Sequence, residues 1–282
     1  MCEERTFLRV GYPRAGMSSW AMEFSTIEVS HNGSRGAITL ARPDKLNPLS
    51  TTTLLELVRA AGYLDSVTEV KVVVVSGQGR AFSAGADLAA FSGEGGSPPS
   101  ATSSREAADA GRRMADAIEG MRAVTVARIQ GHCVGGGLVL AAACDLRVAA
   151  DDVQFSIPEI DLGIPLAWGG IPRLVREIGP ALAKELVMTC RPFSAAEAQA
   201  AGFLNRVVAA TELDAAVETL VRQLESKSAL TLSATKRHTN AVTEGMVGTA
   251  RAWNDADSLV TALRDPESRS VAAAYLKRFR GR

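Results

Sequence analysis

The chain has 282 residues, a length that suits one large domain or one domain with a small appendage. Its composition, 46% hydrophobic and 22% charged, is typical of a folded soluble protein. The 31 basic residues balance the 31 acidic ones, which argues against a nucleic-acid-binding protein, and no stretch approaches the ~18 uninterrupted apolar residues of a membrane-spanning helix.

The N-terminus and the four cysteines bear on the cellular compartment. Residues 1–22 have mixed charge and no long apolar core, so they are a poor signal peptide, and we interpret them as a flexible extension. No two cysteines have the Cys-x-x-Cys spacing, and Cys133 and Cys144 stand in apolar surroundings, where free thiols behave as small hydrophobes. We therefore predict no metal site and no disulfide, and we expect a reducing compartment, the cytoplasm.

Strand and helix signals alternate through the first half of the chain. Residues 24–42 alternate apolar and polar side chains around the turn signal His31-Asn32-Gly33, which predicts a β-hairpin. Ser50 is a suitable N-cap for a helix that runs through Leu64. The β-branched run KVVVVS, residues 71–76, predicts a strand buried on both faces.

The middle of the chain continues this alternation. Residues 92–104, SGEGGSPPSATSS, predict a flexible surface loop, and a helix is expected from 105 to 121. The run 124–129 predicts a further strand, followed by three adjacent glycines and a short helix that ends near Cys144. Short strands are then expected at 146–149 and 153–157.

Helical patterns dominate after Ile157. Ser194 and Glu197 form a capping-box pattern, and Gly202 suits the position just after a helix. A helix over 211–226 has one apolar face, and Asp265-Pro266 is a typical helix start. We predict a strand-and-helix core over 23–205 and a helical region over 206–282. Many apolar residues of this region predict burial between subunits: Leu230, Leu232, Val242, Met246, Val247, Trp253, Leu259, Val260 and Leu263.

Two glycine-rich patterns resemble known motifs but lack residues that those motifs need. In SGQGRAFSAG, Phe82 occupies the third glycine position of a dinucleotide-binding motif, and no Gly-Lys-Ser/Thr follows. AFSAG approaches the Gly-x-Ser-x-Gly pattern, but Ala81 replaces its first glycine and no histidine is spaced to activate Ser83. The sequence therefore predicts neither a nucleotide-phosphate loop nor a hydrolase triad, and its histidines are interpreted as structural.

The glycine cluster Gly135–Gly137 allows two interpretations. One is close packing of a helix start against a strand. The other is a backbone site, because N–H groups at a helix N-terminus lack intrahelical partners and can stabilise an oxyanion, and glycine lets a ligand approach them. AFSAGADL, residues 81–88, is a second Ala- and Gly-rich loop after a strand. Two such loops can each supply one N–H to a single oxygen.

Several segments together resemble the enoyl-CoA hydratase/isomerase (crotonase) superfamily. They are, in the order in which that family has them, ARPDKLN, VVVSGQGRAFSAGADL, GHCVGGGLVLAAACDLRVA, FSIPEIDLGI, GGIPRL and SAAEAQAAGFLNRVV. The resemblance implies an α/β fold, a spiral of ββα units with a C-terminal helical trimerisation region. It also implies acyl-CoA thioester substrates, no cofactor besides the coenzyme A of the substrate, and a homotrimer or hexamer.

The resemblance assigns site residues by position. It puts the oxyanion-hole N–H groups at Ala86 and Gly136. It implies that Lys45 and Leu46 line the adenine and pantetheine of CoA. The other substrate-binding positions that it implies are Ala84, Asp87, Leu88, Gly135 and, in the acyl pocket, Trp168. For Trp168 a place in the ordinary core is the alternative, and for Lys277 and Arg278 a contact with a CoA phosphate competes with simple solvation.

One expected carboxylate is absent from the sequence. Hydratases of this family use two glutamates; the first position is Val139 here, and the second is Glu159. A single base suffices for a 1,3-shift of a double bond, so we predict Δ3,Δ2-enoyl-CoA isomerisation with Glu159 as the acid/base. Burial would raise its pKa. The alternatives are a hydratase with a non-standard second proton carrier and a non-catalytic acyl-CoA-binding protein.

Asp161 is the candidate for such a second carrier. If residues 159–161 are extended, the side chains of Glu159 and Asp161 lie on one face. We favour the alternative that Asp161 caps a turn or pairs with a nearby arginine.

Overall fold

A computed structural model describes residues 23–87, 101–252 and 254–280, without the side chains of 101–103, 279 and 280. The predicted N-terminal extension, most of the predicted loop at 92–104, Leu88 and Trp253 lie outside the described residues. Within the described part of the chain, no helix combines the length and the apolar character that a membrane crossing requires.

The strands of the described residues form two sheets. They are, in chain order, β1 (Ile27–Asn32), β2 (Arg35–Leu40), β3 (Val72–Gly77), β4 (Val124–Ile129), β5 (His132–Val134), β6 (Leu146–Ala150), β7 (Gln154–Ser156), β8 (Phe193–Ser194) and β9 (Arg206–Val208). The larger sheet has the order β1-β2-β3-β4-β6-β9, and the smaller one has the order β5-β7-β8. The β1–β2 and β7–β8 pairs are antiparallel, and the other pairs are parallel.

The helices cover the sheets and make up most of the C-terminal region. They are α1 (Thr51–Ser66), α2 (Ala101–Glu119), α3 (Gly136–Ala143), α4 (Gly170–Thr189), α5 (Ala195–Ala200), α6 (Leu213–Glu225), α7 (Ala229–Met246), α8 (Asp255–Ala262) and α9 (Pro266–Arg280). Helix α1 packs on β1 and β2, and α6 packs on β3, β4 and β6.

The predictions of a hairpin, a buried strand and a helix cap between residues 24 and 76 are confirmed. Strands β1 and β2 form the hairpin, and Asn32 pairs with Arg35 across a two-residue turn. The first residue of this turn, Gly33, has φ of 55°. Val72 and Val73 of β3 point to opposite faces, and both are fully buried. The Ser50 hydroxyl caps α1 by accepting a hydrogen bond from the Thr53 N–H at 3.2 Å.

Caps in the second half also follow the predicted pattern, with one difference. Ser194 accepts from the Glu197 N–H at 3.2 Å, but the Glu197 carboxylate pairs with Arg191 at 2.6 Å instead of reaching back to complete the capping box. Gly202 follows α5 with φ of 91°, as expected. The Asp265 carboxylate caps α9 by accepting from the Ser268 N–H at 2.8 Å.

The structure differs from the predictions in the start of one helix and in the presence of two short strands after Ile157. Helix α2 begins at Ala101 rather than 105, because the Ser- and Thr-rich start of a helix has the composition of a loop. The region after Ile157 also contains β8 and β9 besides its helices. Strand β9 has three residues and is held by parallel pairing with β6, and so short a run carries no periodic signal of its own.

Candidate active site

Three chain segments meet at one edge of the small sheet. Strands β5 and β7 are parallel with Val134 opposite Ser156, so the residues that follow them, the glycine cluster and the turn that carries Glu159, emerge side by side. The segment 81–87 joins them through a parallel bridge between Ser83 and Cys133. The topology therefore brings both glycine-containing loops to the same place as the candidate base.

Each glycine of the cluster makes a different close approach. Gly135 has φ of 49° and ψ of −115°, and a Cβ there would overlap Oε1 of Glu159. A Cβ on Gly136 would overlap the indole of Trp168, and one on Gly137 would lie 2.7 Å from the Ser83 Cβ. Gly137 thus fits the packing interpretation of the cluster, whereas Gly135 and Gly136 leave space for groups of the site.

Two backbone N–H groups are available on the wall of this site. Among the described residues, none accepts a hydrogen bond from the N–H of Ala86 or of Gly136, and both residues line the same small cavity. Gly136 is the first residue of α3, where the helix dipole adds positive potential. The two loops approach closely, since a Cβ on Gly85 would lie 3.5 Å from the Gly136 nitrogen. The pair of N–H groups is suited to an oxyanion.

Glu159 is the carboxylate of this cavity. It is 8% exposed, and within the described chain its Oε2 atom has no hydrogen-bond partner. Burial raises the pKa of Glu159 from 4.5 to about 7, because a charged carboxylate is poorly solvated there. A carboxylate with a pKa near neutrality is suited to move protons in either direction.

The cavity around Glu159 is small and apolar. Its volume is about 30 Å³. Val139, on the first turn of α3, is 1% exposed and forms one wall. The remaining lining residues are Ala86, Gly136, Ile164, Pro165, Leu166, Ala167, Trp168 and Leu259. Among the described residues that line it, Glu159 is the single carboxylate, and Val139 contributes an apolar side chain.

The premise of an extended segment from Glu159 to Asp161 is wrong. The segment 158–163 is a turn, closed by hydrogen bonds from the Gly163 N–H to the Ile160 carbonyl and from the Ile164 N–H to the Glu159 carbonyl, both at 2.9 Å. The Asp161 side chain is exposed and does not line the cavity of Glu159. It is therefore poorly placed to serve as a second proton carrier.

Most of the residues predicted to bind CoA lie on two adjoining loops. The Ala84 N–H donates to the Leu46 carbonyl at 2.8 Å, and Lys45 is exposed beside it at the end of a 3₁₀ turn. Asp87 accepts from Arg42 at 3.3 Å. The structure thus brings Lys45, Leu46, Ala84 and Asp87 to one region, while Leu88 lies outside the described residues.

Asn47 organises these loops, although no pattern in the sequence singled it out. Its side chain is 1% exposed and donates to the carbonyls of Gln78 and Ala81 at 2.8 and 2.9 Å. Its own carbonyl accepts from the Ser83 hydroxyl at 2.8 Å. A buried asparagine with both roles ties the two loops together and also explains Ser83 as a structural hydroxyl rather than a nucleophile.

Comparisons with known proteins agree on one family. Residues 31–279 match the family model described as enoyl-CoA hydratase/isomerase. A probable enoyl-CoA hydratase of Mycobacterium tuberculosis is 33% identical over 273 residues, which cover 91% of this chain and 97% of the relative. The peroxisomal Delta(3,5)-Delta(2,4)-dienoyl-CoA isomerase of Arabidopsis thaliana is 32% identical over 270 residues, which cover 90% of this chain and 96% of the relative.

A solved structure confirms the fold. The crystal structure of an enoyl-CoA hydratase from Mycobacterium avium subsp. paratuberculosis superimposes with a TM-score of 0.81 at 26% identity, covering 91% of this chain and 97% of that one. The expected crotonase-like α/β architecture is therefore correct.

Proposed function

The chain belongs to the enoyl-CoA hydratase/isomerase family of enzymes, and from that premise we propose that it isomerises 3-enoyl-CoA thioesters to 2-enoyl-CoA thioesters. The observation that carries this proposal is made on the described residues: a single buried carboxylate, Glu159, lies in an apolar cavity beside two backbone N–H groups that have no hydrogen-bond partner there. That combination is sufficient for a proton shift and poor for adding water.

The proposed reaction uses one base twice. The Glu159 carboxylate takes a proton from C2 of the 3-enoyl thioester, and the electron pair delocalises onto the thioester oxygen as a dienolate. The N–H groups of Ala86 and Gly136 donate to that oxygen. The Glu159 carboxyl then returns the same proton to C4, the double bond settles between C2 and C3, and the atoms balance without any co-reactant.

Hydration would require an oriented water molecule, and the cavity is poorly equipped for one. A volume of about 30 Å³ suffices for a water-sized group, but an ordered water needs two to four polar partners. Val139 offers none, and the reacting carbons would compete for the same space. The hydratase alternative is supported by the names of several relatives, so it is the second candidate function.

The products formed by the wild-type enzyme test this proposal. With equal concentrations of 3-octenoyl-CoA and 2-octenoyl-CoA in separate assays, we expect the double-bond shift to be about 100-fold faster than hydration, because positioning of a water is worth that order of magnitude. Chromatography of the CoA thioesters measures both. Dominant 3-hydroxyoctanoyl-CoA would overturn the single-base isomerase, and binding without any turnover would favour the non-catalytic alternative.

The pH dependence provides a second prediction. Because only ionised Glu159 can accept the C2 proton, kcat/KM for 3-octenoyl-CoA should rise about tenfold per pH unit below its pKa of about 7 and level off above it. Initial rates between pH 5 and 9 measure this profile. A profile that is flat from pH 5 upwards would exclude a base with this pKa.

We propose that CoA lies along the two adjoining loops. Lys45, Leu46, Ala84 and Asp87 supply this surface, with Leu88 and Gly135 completing the binding positions. No cofactor takes part beyond the coenzyme A of the substrate. Lys277 and Arg278, both exposed near the end of α9, are suited to a CoA phosphate.

We also propose that residues 206–282 form the contacts between subunits, and that residues 23–205 form the core of each subunit. Helix α7 leaves apolar side chains in solvent, with Leu230 72%, Val242 53% and Met246 69% exposed. We expect a trimer or hexamer in sedimentation at micromolar concentration, and Met246→Asp should weaken it because a charge in the interface would lose solvation. A stable monomer would contradict this prediction.

A further inference from the structure

We propose that Trp168 is a specificity-determining residue that restricts this enzyme to acyl groups unbranched at C2 and C3, with an apolar tail that extends past the indole. The inference rests on the proposed function for the location of the reacting carbons. The inference is tested by measuring the binding of acyl-CoA thioesters, so the result does not depend on whether the protein turns over an enoyl-CoA substrate.

The indole separates two spaces. Trp168 lines both the 30 Å³ cavity of Glu159 and a larger chamber of about 350 Å³, and Ala86 and Leu259 also line both. The larger chamber lies among α1, α2 and α8, with apolar walls that include Leu54, Ala108 and Val260. Within the described part of the chain, an acyl group that starts at the N–H groups of Ala86 and Gly136 therefore has a roomy continuation past the edge of the indole.

The indole is fixed closely against the reaction site. A Cβ on Gly136 would overlap Cζ3 of the six-membered ring, and a Cβ on Gly111 of α2 would overlap Cδ2. The ring thus fills the gap between the candidate oxyanion donor and helix α2. Any substituent on C2 or C3 of a bound acyl group must compete with this ring for space.

The backbone of Trp168 is strained, and surrounding groups hold it. Trp168 has φ of 62°, a left-handed conformation that is costly for a bulky residue. The guanidinium of Arg173 donates to the carbonyls of Trp168 and Gly169 at 3.5 and 3.3 Å, and Asp255 accepts from the Gly169 N–H at 2.8 Å.

Arg173 is itself held tightly. It is 0% exposed and pairs with two residues of α2, Asp116 at 3.0 Å and Glu119 at 2.5 Å. Arg173 therefore ties the segment that contains Trp168 to α2. Strain that is maintained by a buried ion pair at a cavity wall indicates a functional constraint on the position of this side chain.

The substrate class follows from these volumes. The small cavity holds about one water-sized group, so with C2 of the substrate beside Glu159 it leaves no space for a branch while the indole is present. A straight tail continues into the chamber of about 350 Å³. We therefore assign unbranched acyl groups of medium length, rather than branched or short ones, as the preferred ligands.

The experiment compares the affinities of octanoyl-CoA and 2-methyloctanoyl-CoA by calorimetry. We expect the wild type to bind the unbranched thioester at least about tenfold more tightly, and Trp168→Gly to reduce this ratio to about twofold or less. Glycine tolerates the φ of position 168, so the variant removes the ring without adding strain. Trp168→Phe should give an intermediate ratio if the glycine variant does not fold.

Val260→Phe is the matched control, because it narrows the far chamber while the indole of Trp168 stays in the protein. It should weaken octanoyl-CoA relative to butanoyl-CoA and leave the discrimination against the methyl branch unchanged. Equal affinity of the wild type for both octanoyl thioesters, or an unchanged ratio in folded Trp168 variants, would overturn the inference. A reduced ratio in these variants without turnover of 3-octenoyl-CoA would support Trp168 while refuting the proposed isomerisation.

Discussion

Glu159→Gln is expected to lower kcat for 3-octenoyl-CoA isomerisation by about 10²- to 10⁴-fold, the range typical of general acid–base catalysis. Glutamine keeps the shape of the side chain but cannot accept the C2 proton. The affinity for octanoyl-CoA should stay within a few-fold of the wild type, since the backbone N–H groups and the CoA surface are unchanged. Single-turnover kinetics and calorimetry measure the two quantities separately.

Asp161→Asn is the matched control for this variant. Asp161 is a carboxylate two residues away on the same turn, but its side chain is exposed and does not line the cavity. We expect wild-type kcat from it. Full activity in Glu159→Gln together with loss in Asp161→Asn would transfer the role of base to Asp161.

The same two variants should differ in how the free energy of unfolding depends on pH. Below pH 4.5 Glu159 is protonated in both the folded and the unfolded chain, so its burial carries no charge penalty. Between pH 4.5 and about 7 the unfolded chain ionises first, and the free energy of unfolding falls as pH rises. Above that range Glu159→Gln should be more stable than the wild type by on the order of 3 kcal/mol, whereas Asp161→Asn, which keeps Glu159, should retain the fall in the free energy of unfolding.

Features with a local cause were predictable from the sequence. The cap at Ser50 needs only a hydroxyl three residues from an N–H, and the burial of β3 follows from consecutive valines. The proposed pairing of Ala86 with Gly136 and the proposed role of Glu159 required the family resemblance, because no spacing in the sequence joins loops that are about 50 residues apart in the chain.

Features that depend on long-range packing were not predictable. The turn at 158–163 is closed by backbone hydrogen bonds and packs beside the glycine cluster, so the two-residue alternation of an extended chain does not relate Asp161 to Glu159. The left-handed backbone of Trp168 is held through hydrogen bonds from Arg173 to its carbonyl and from the next N–H to Asp255, and Asp255 is 87 residues away in sequence from position 168. A tryptophan in a glycine conformation has no signature in composition or periodicity.

Gly136→Ala is expected to lower kcat/KM by about 10²- to 10³-fold, comparable to the loss of one oxyanion-hole donor. The backbone of Gly136 is not in the left-handed region, so alanine is acceptable to the helix itself. The added Cβ would instead overlap the indole of Trp168 and displace the start of α3, which carries the donor N–H. Steady-state kinetics with 3-octenoyl-CoA measure the loss.

A double variant isolates the cause of that loss. With the indole removed by Trp168→Gly, the Cβ at position 136 has space, so Gly136→Ala should then reduce kcat/KM by less than about tenfold. Gly62→Ala is the control for adding a methyl group: nothing lies within 4 Å of its new Cβ in α1, and we expect unchanged activity and about 0.5–1 kcal/mol of added stability. If Gly136→Ala is equally damaging with and without the indole, Trp168 does not limit this position, and the Gly136 N–H must be displaced by strain within α3 itself.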